Sequence, residues 1–131
     1  MLAQMHALAL TAVTQAYSPY SHFKVGVCLE TASGQLFSGC NIENASYSLT
    51  LCAESAAIAA MVTAGQQRIQ RLVIVSSGED FCSPCGACRQ RLLEFATEAM
   101  EIHLFNQAGD CRVHWLSELL PFSFGKKDLP C

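Results

Sequence analysis

Two short stretches hold the side chains best suited to chemistry: TLCAESAAIAA, beginning at Thr50, and SPCGACRQ, beginning at Ser83. The second sets Cys85 and Cys88 three residues apart, on one face of a helix that opens there. The first sets Cys52 near the start of another helix. Thirty-two residues separate Cys52 from Cys85. That is room for one helix, one strand and one loop, which brings the two helix starts side by side. Helix N-termini carry partial positive charge and unpaired N–H groups, and both favour the thiolate that binds metal. Three soft ligands around one point suit zinc. Three ligands with an open position describe a catalytic site, and four describe a structural one.

Alternatives stand beside the open site. Cys82 gives CSPC directly ahead of CGAC, so a closed four-cysteine zinc site is one. A thioredoxin-like redox pair is another. Glu54 weighs against both. The rest of its helix is nearly all Ala, Ile, Met and Val, so it is buried on most sides. A lone carboxylate there is costly unless it is paired or has a task. Two residues from a zinc ligand, its natural task is to shuttle protons for a water on the metal. A lone C-x-x-C is a weak signal, whereas C-x-E with P-C-x-x-C downstream is a strong one.

Positioning these groups requires a scaffold, and hydrophobic periodicity outlines it. Apolar residues at helical spacing predict a helix over 2–16. FKVGVCLE (23–30) and QLFSGCNI (35–42) read as a hairpin around the turn TASG. The polar loop NIENASYSLT leads to a helix over 52–64, with Thr50 as N-cap and Gly65 as stop. RLVIVSS (71–77) is a buried strand. A second helix is expected from Pro84 to about Ala96, with Ser83 as N-cap. EIHLFN (101–106) and CRVHWL (111–116) flank the turn QAGD, and a helical turn and tail follow. The expected fold is α/β: a single three-layer α-β-α domain over 1–131, with a mixed five-stranded sheet and helices on both faces. Its central strand-helix-strand unit is parallel and right-handed.

Composition narrows the function. The chain has 131 residues, 51% hydrophobic and 15% charged, which suits one globular domain with a real core. A net charge of -3 argues against a nucleic-acid binder, which needs a basic face. The N-terminus lacks a basic n-region and a clear cleavage site, and no run is long enough to span a membrane. Eight cysteines without a secretory signal imply a cytoplasmic protein with reduced thiols. Cys28, Cys40, Cys111 and Cys131 read as small hydrophobes or a tail thiol.

In YSPYSHFKVG, GCNIENASYSLTLCAE, SPCGACRQ and ELLPFSFG, in that order and spacing, the chain closely resembles the small homotetrameric zinc-dependent cytidine deaminases. The resemblance implies one Zn²⁺ per chain, held by Cys52, Cys85 and Cys88. It implies Glu54 as the catalytic acid and base, activating a water that attacks C4 of cytosine and then passing protons to N3 and the departing amine. Cytidine and 2′-deoxycytidine would become uridine and 2′-deoxyuridine, in pyrimidine salvage. The resemblance further places Asn41 and Glu43 on the ribose hydroxyls, Phe23 against the base, and the backbone near Ala53 and Ser83 on the cytosine edge. Ala45, Tyr47 and Phe124 would reach a site from neighbouring subunits of a homotetramer. Read alone, Phe23 can equally be core, Tyr47 and Phe124 interface, and Asn41 a turn residue. Glu43 on the ribose would repel an attached phosphate, which favours free nucleosides over polynucleotides. A nucleoside-like antibiotic such as blasticidin S is the competing substrate.

Many relatives carry arginine directly after the glutamate, where this chain has Ser55. Zinc on three thiolates is left with excess negative charge, which weakens its pull on water. Here the helix N-termini, backbone N–H groups and Arg89 are expected to offset it, and Ser55→Arg is expected to alter the pH dependence of turnover.

Overall fold

The computed structural model describes residues 1–130 except for the side chain of Glu98; Cys131 lies outside the described residues. The elements run α1 (Leu2–Thr14), β1 (Val25–Thr31), β2 (Leu36–Cys40), α2 (Ala53–Thr63), β3 (Ile69–Ser76), α3 (Gly86–Leu93), β4 (Ala96–Phe105), β5 (Cys111–Trp115) and the short α4 (Leu116–Leu119). They build one five-stranded sheet in the order β2-β1-β3-β4-β5. Only β3 and β4 pair in parallel, joined across α3; the other pairs are antiparallel. This is the expected mixed sheet.

Alternation along each strand divides the core in two. Val27, Leu29, Leu72, Ile74, Ile102 and Leu104 face α2 and α3. Cys28, Val73, Val75 and Phe105 face Met5 and Ala9 of α1. Met5 and Ala9, one helical turn apart, are fully buried, which is why α1 lies along the sheet. Beyond the reach of α1 that face becomes polar. Arg71 bridges the buried Glu30 at 3.2 Å and Glu101 at 3.3 Å, and His103 bonds Glu101 at 3.0 Å.

Two glycines set the layer spacing. A side chain at Gly26 would strike the Ala9 carbonyl and Val13 of α1, and one at Gly39 would meet Ala53 and Ala57 of α2 at 2.6 Å. The helix that carries Cys52 therefore sits directly on the backbone of β2.

Several boundaries differ from those expected. Phe23 does not begin a strand. His22 adopts φ 59°, and the chain enters β1 only at Val25. The N-cap of α2 is Cys52, not Thr50. Ile42 and Leu51 exchange backbone hydrogen bonds at 2.8 Å each way, which keeps the chain extended past Thr50. The N-cap of α3 is Cys85, not Ser83, with extended backbone at φ -66°, ψ 166°. That helix ends at Leu93 rather than near Ala96, because Ala96 pairs with Ile69 and opens β4.

Candidate functional site

Cys52 and Cys85 cap the two helices in the same extended conformation, Cys52 at φ -75°, ψ 159°. Each cysteine therefore stands at a helix N-terminus, where partial positive charge favours a thiolate. Glu54 lies in the first turn of α2 and Cys88 in that of α3, both buried. Donor atoms of Cys52, Glu54 and Cys88 all lie within 4.8 Å of one another, a group that can hold a metal ion. Cys85 is exposed and lines the same cavity, with its sulfur outside that tight group. Soft sulfur donors from two helix starts, with a carboxylate beside them, fit zinc by donor chemistry.

The thiols interact strongly. Cys88 Sγ donates to Cys52 Sγ at 2.7 Å. The Cys88 thiol, the Ser55 hydroxyl and the Arg91 charge together hold Cys52 well below the usual thiol range, at about 5. Donating that bond, with burial and the charge of Glu54 acting in the same sense, pushes Cys88 upward. Cys52 is thus the thiolate of the pair. Glu54 is only 4% exposed, and its carboxyl is raised first by burial and then by the charge of Cys52. A raised carboxyl holds a proton more readily than an ordinary one, which suits a proton-transfer group.

A cavity of about 310 Å³ lies over these groups, lined by Phe23, Asn41, Ala53 and Ser83 among others. Four of the residues expected at a substrate site therefore come together. Asn41 is nevertheless engaged with the backbone. Its Oδ1 accepts from Val25 N at 2.9 Å, and its Nδ2 donates to the Phe23 carbonyl at 2.9 Å. It ties the Phe23 loop to the start of β1. Glu43 lines an adjoining cavity of about 380 Å³ with Tyr47, and Thr50 borders both. The Ser21 hydroxyl and the N–H groups of Tyr20 and Ser21 all donate to Glu43, and they hold its carboxyl below the ordinary range. Ala45, on the exposed loop before Tyr47, and Phe124 do not line the cavity over the cysteines. Tyr47 is 74% exposed and Phe124 57%.

Three further placements bear on the expectations above. Cys82 lines the cavity but packs against the core, and burial raises its thiol. Arg89 does not face the thiolates: it donates to the Pro84 carbonyl at 2.8 Å and the Leu119 carbonyl at 2.7 Å, pinning the C-terminal turn to α3. The cation at the thiolates is Arg91, whose Nη1 donates to Ser55 Oγ at 2.7 Å and lies 3.7 Å from Cys52 Sγ. The sequence reading missed it, although its place three residues beyond Cys88 puts it on the same helical face.

Residues 2–104 match the family described as "Cytidine and deoxycytidylate deaminase zinc-binding region". A cytidine deaminase of Sporosarcina psychrophila is 44% identical over 115 residues, 88% of this chain and 85% of its own length. One from Mycobacterium tuberculosis is 41% identical over 122 residues, 93% of this chain and 88% of its own. The crystal structure of a cytidine deaminase from Burkholderia pseudomallei superposes with a TM-score of 0.85 at 43% identity, covering 91% of this chain and 98% of that one.

Proposed function

This chain belongs to the cytidine and deoxycytidylate deaminase zinc-binding family, and from that footing we propose that it hydrolyses the exocyclic amine of free cytidine and 2′-deoxycytidine. Water and substrate give uridine or 2′-deoxyuridine and ammonia. The observation that carries this reading is the buried Glu54 carboxyl, grouped with the Cys52 and Cys88 sulfurs beneath a cavity of about 310 Å³. A cavity of that size is at the small end of ligand sites, which span roughly 300–1,000 Å³. It suits a nucleoside.

Cys52, Cys85 and Cys88 would hold the Zn²⁺, one per chain. When bound, the ion supplies Lewis acidity that makes a water easier to deprotonate. The Glu54 carboxylate accepts that proton. As a carboxylic acid it then delivers that proton to ring N3 while the water oxygen adds to C4, takes up the second proton from the new C4 hydroxyl, and passes it to the amine as the C–N bond breaks, so one group serves both directions. Its raised affinity for protons suits the second half of this cycle.

Asn41 orders the cavity wall and keeps its remaining hydrogen-bonding capacity for a ribose hydroxyl. Glu43 is anionic and partly open to the adjoining cavity, ready to accept from a second hydroxyl. Phe23 supports the base, and the backbone at Ala53 and Ser83 meets its polar edge. Ala45, Tyr47 and Phe124 serve a neighbouring subunit's site in a homotetramer. The exposed large apolar side chains Tyr47, Leu49, Phe122 and Phe124 favour such an interface. We place this one-domain enzyme in cytoplasmic pyrimidine salvage, without nucleic-acid or membrane partners. No helix among the described residues is long and apolar enough to cross a membrane.

Ultraviolet absorbance of cytidine, followed with the parent and Glu54→Gln, tests the proposal. The parent is expected to convert cytidine. Glu54→Gln, folded and zinc-loaded, is expected to lose about 10²–10⁴-fold in kcat, the worth of general acid-base catalysis. Near-parental turnover by the variant would remove Glu54 from the mechanism. A folded, zinc-loaded parent that converts blasticidin S and not cytidine would overturn the substrate.

A further inference from the structure

Arg91 stands in the last turn of α3, where a cation interacts favourably with the helix C-terminus from an ordinary solvent-facing position. Its side chain does something else. The guanidinium turns toward the start of α2, and its polar partners among the described residues are Ser55 and Cys52, neither of them a carboxylate. Ser55 is 7% exposed, and its Oγ lies 2.8 Å from Cys52 Sγ. Since Arg91 has only donors, Ser55 Oγ accepts from it, and the Ser55 hydroxyl proton is left to bond the sulfur. The result is a directed chain: Arg91 Nη1 to Ser55 Oγ, then Ser55 Oγ to Cys52 Sγ, with Nη1 itself 3.7 Å from the same sulfur.

We propose that Arg91 is a positioning residue for the metal centre: through Ser55 it fixes the rotamer of Cys52 and balances the negative charge of the thiolate ligands across the α2–α3 seam. Three thiolates on a divalent ion leave one negative charge in excess, and a partly buried charge without a partner weakens the site. Arg91 supplies the partner from the opposite helix. It also ties the last turn of α3 to the start of α2, beside the cysteines that must converge. Groups behind the metal ligands typically matter by 10–100-fold in metal affinity. The outer part of Arg91 is in water, so the lower end applies here.

This inference rests on the ligand set proposed above, and the experiment separates the two. Apparent zinc affinity is measured by competition with a chromogenic chelator at fixed pH, for the parent, Arg91→Met, Arg91→Lys, Arg91→Met combined with Ser55→Arg, and Cys52→Ser. Circular dichroism checks the fold of each. Arg91→Met is expected to bind zinc about tenfold more weakly. Arg91→Lys, and Ser55→Arg in the Arg91→Met background, are expected to recover most of that loss, because each returns a cation to the same sulfur. Parental affinity in folded Arg91→Met would overturn the inference. So would a loss that neither cationic variant recovers, since Arg91 would then act by packing or through the α3 dipole. If Cys52→Ser binds zinc like the parent, the ligand set itself fails. If Cys52→Ser loses zinc while Arg91→Met does not, only the role of Arg91 fails.

Discussion

A methyl group added at Gly39 would lie 2.6 Å from both the Ala53 carbonyl oxygen and the Ala57 nitrogen, and 3.1 Å from the Ala56 Cβ. Ordinary contact starts at 3.4 Å, so in Gly39→Ala the helix α2 must withdraw from β2 by about 0.8 Å, 3.4 less 2.6. The obstructing atoms are helix backbone, which cannot rotate away. Overpacking of this kind costs about 1–3 kcal/mol. For a chain of this length each kcal/mol lowers Tm by roughly 3–5 °C, so a fall of about 3–15 °C is expected. The site should suffer with the fold. Cys52 and Glu54 ride on α2, whereas Cys88 rides on α3, and metal-ligand distances tolerate only about 0.2 Å. The assay is thermal unfolding with and without added zinc, paired with chelator competition. Gly86→Ala is the control. It lies between two of the proposed ligands, yet an added Cβ meets nothing within 4 Å, and the substitution is expected to stabilise by about 0.4–1 kcal/mol. Parental Tm and parental zinc affinity in Gly39→Ala would refute the argument that backbone contact at Gly39 sets the position of α2.

Two further predictions follow from groups away from the metal. Burial, and then the charge of Glu30, push the Cys28 thiol up to about 11 from an ordinary 9.0. Its stabilising contribution is therefore complete below pH 9 and lost as pH rises through 11. Iodoacetamide at pH 8.5 should leave Cys28 unlabelled in the native chain while labelling the exposed Cys111, read by peptide mass mapping; rapid native labelling of Cys28 would contradict this. Glu43→Gln keeps the shape of the Tyr20–Ser21 loop contact but removes the charge. It should raise KM for cytidine about tenfold, the worth of one hydrogen bond to a charged group, with kcat nearly kept. An unchanged KM would remove Glu43 from the ribose.

The sequence by itself determined much of this protein, because short-range spacing encodes it. Period-two and period-3.6 apolar patterns marked five strands and three main helices. Cysteines at two helix starts, and one carboxylate in an otherwise apolar helix, marked the chemistry before any coordinate was known. Tertiary structure decided what depends on contacts between distant residues. Thr50 and Ser83 are good caps by type, but the Ile42–Leu51 bridge and the extended approach to Cys85 moved both caps onto cysteines. Ala96 favours a helix by propensity, yet pairing with Ile69 placed it in a strand. Asn41 read as a turn residue or a ligand, and its side chain proved to bind the backbone of Phe23 and Val25. Of two arginines in one short helix, Arg89 went to carbonyls and Arg91 to a thiolate. Both spacings are local, but which face of α3 meets α2 is set by how the two helices pack on the sheet, α2 over β1 and β2, and no local pattern specifies that.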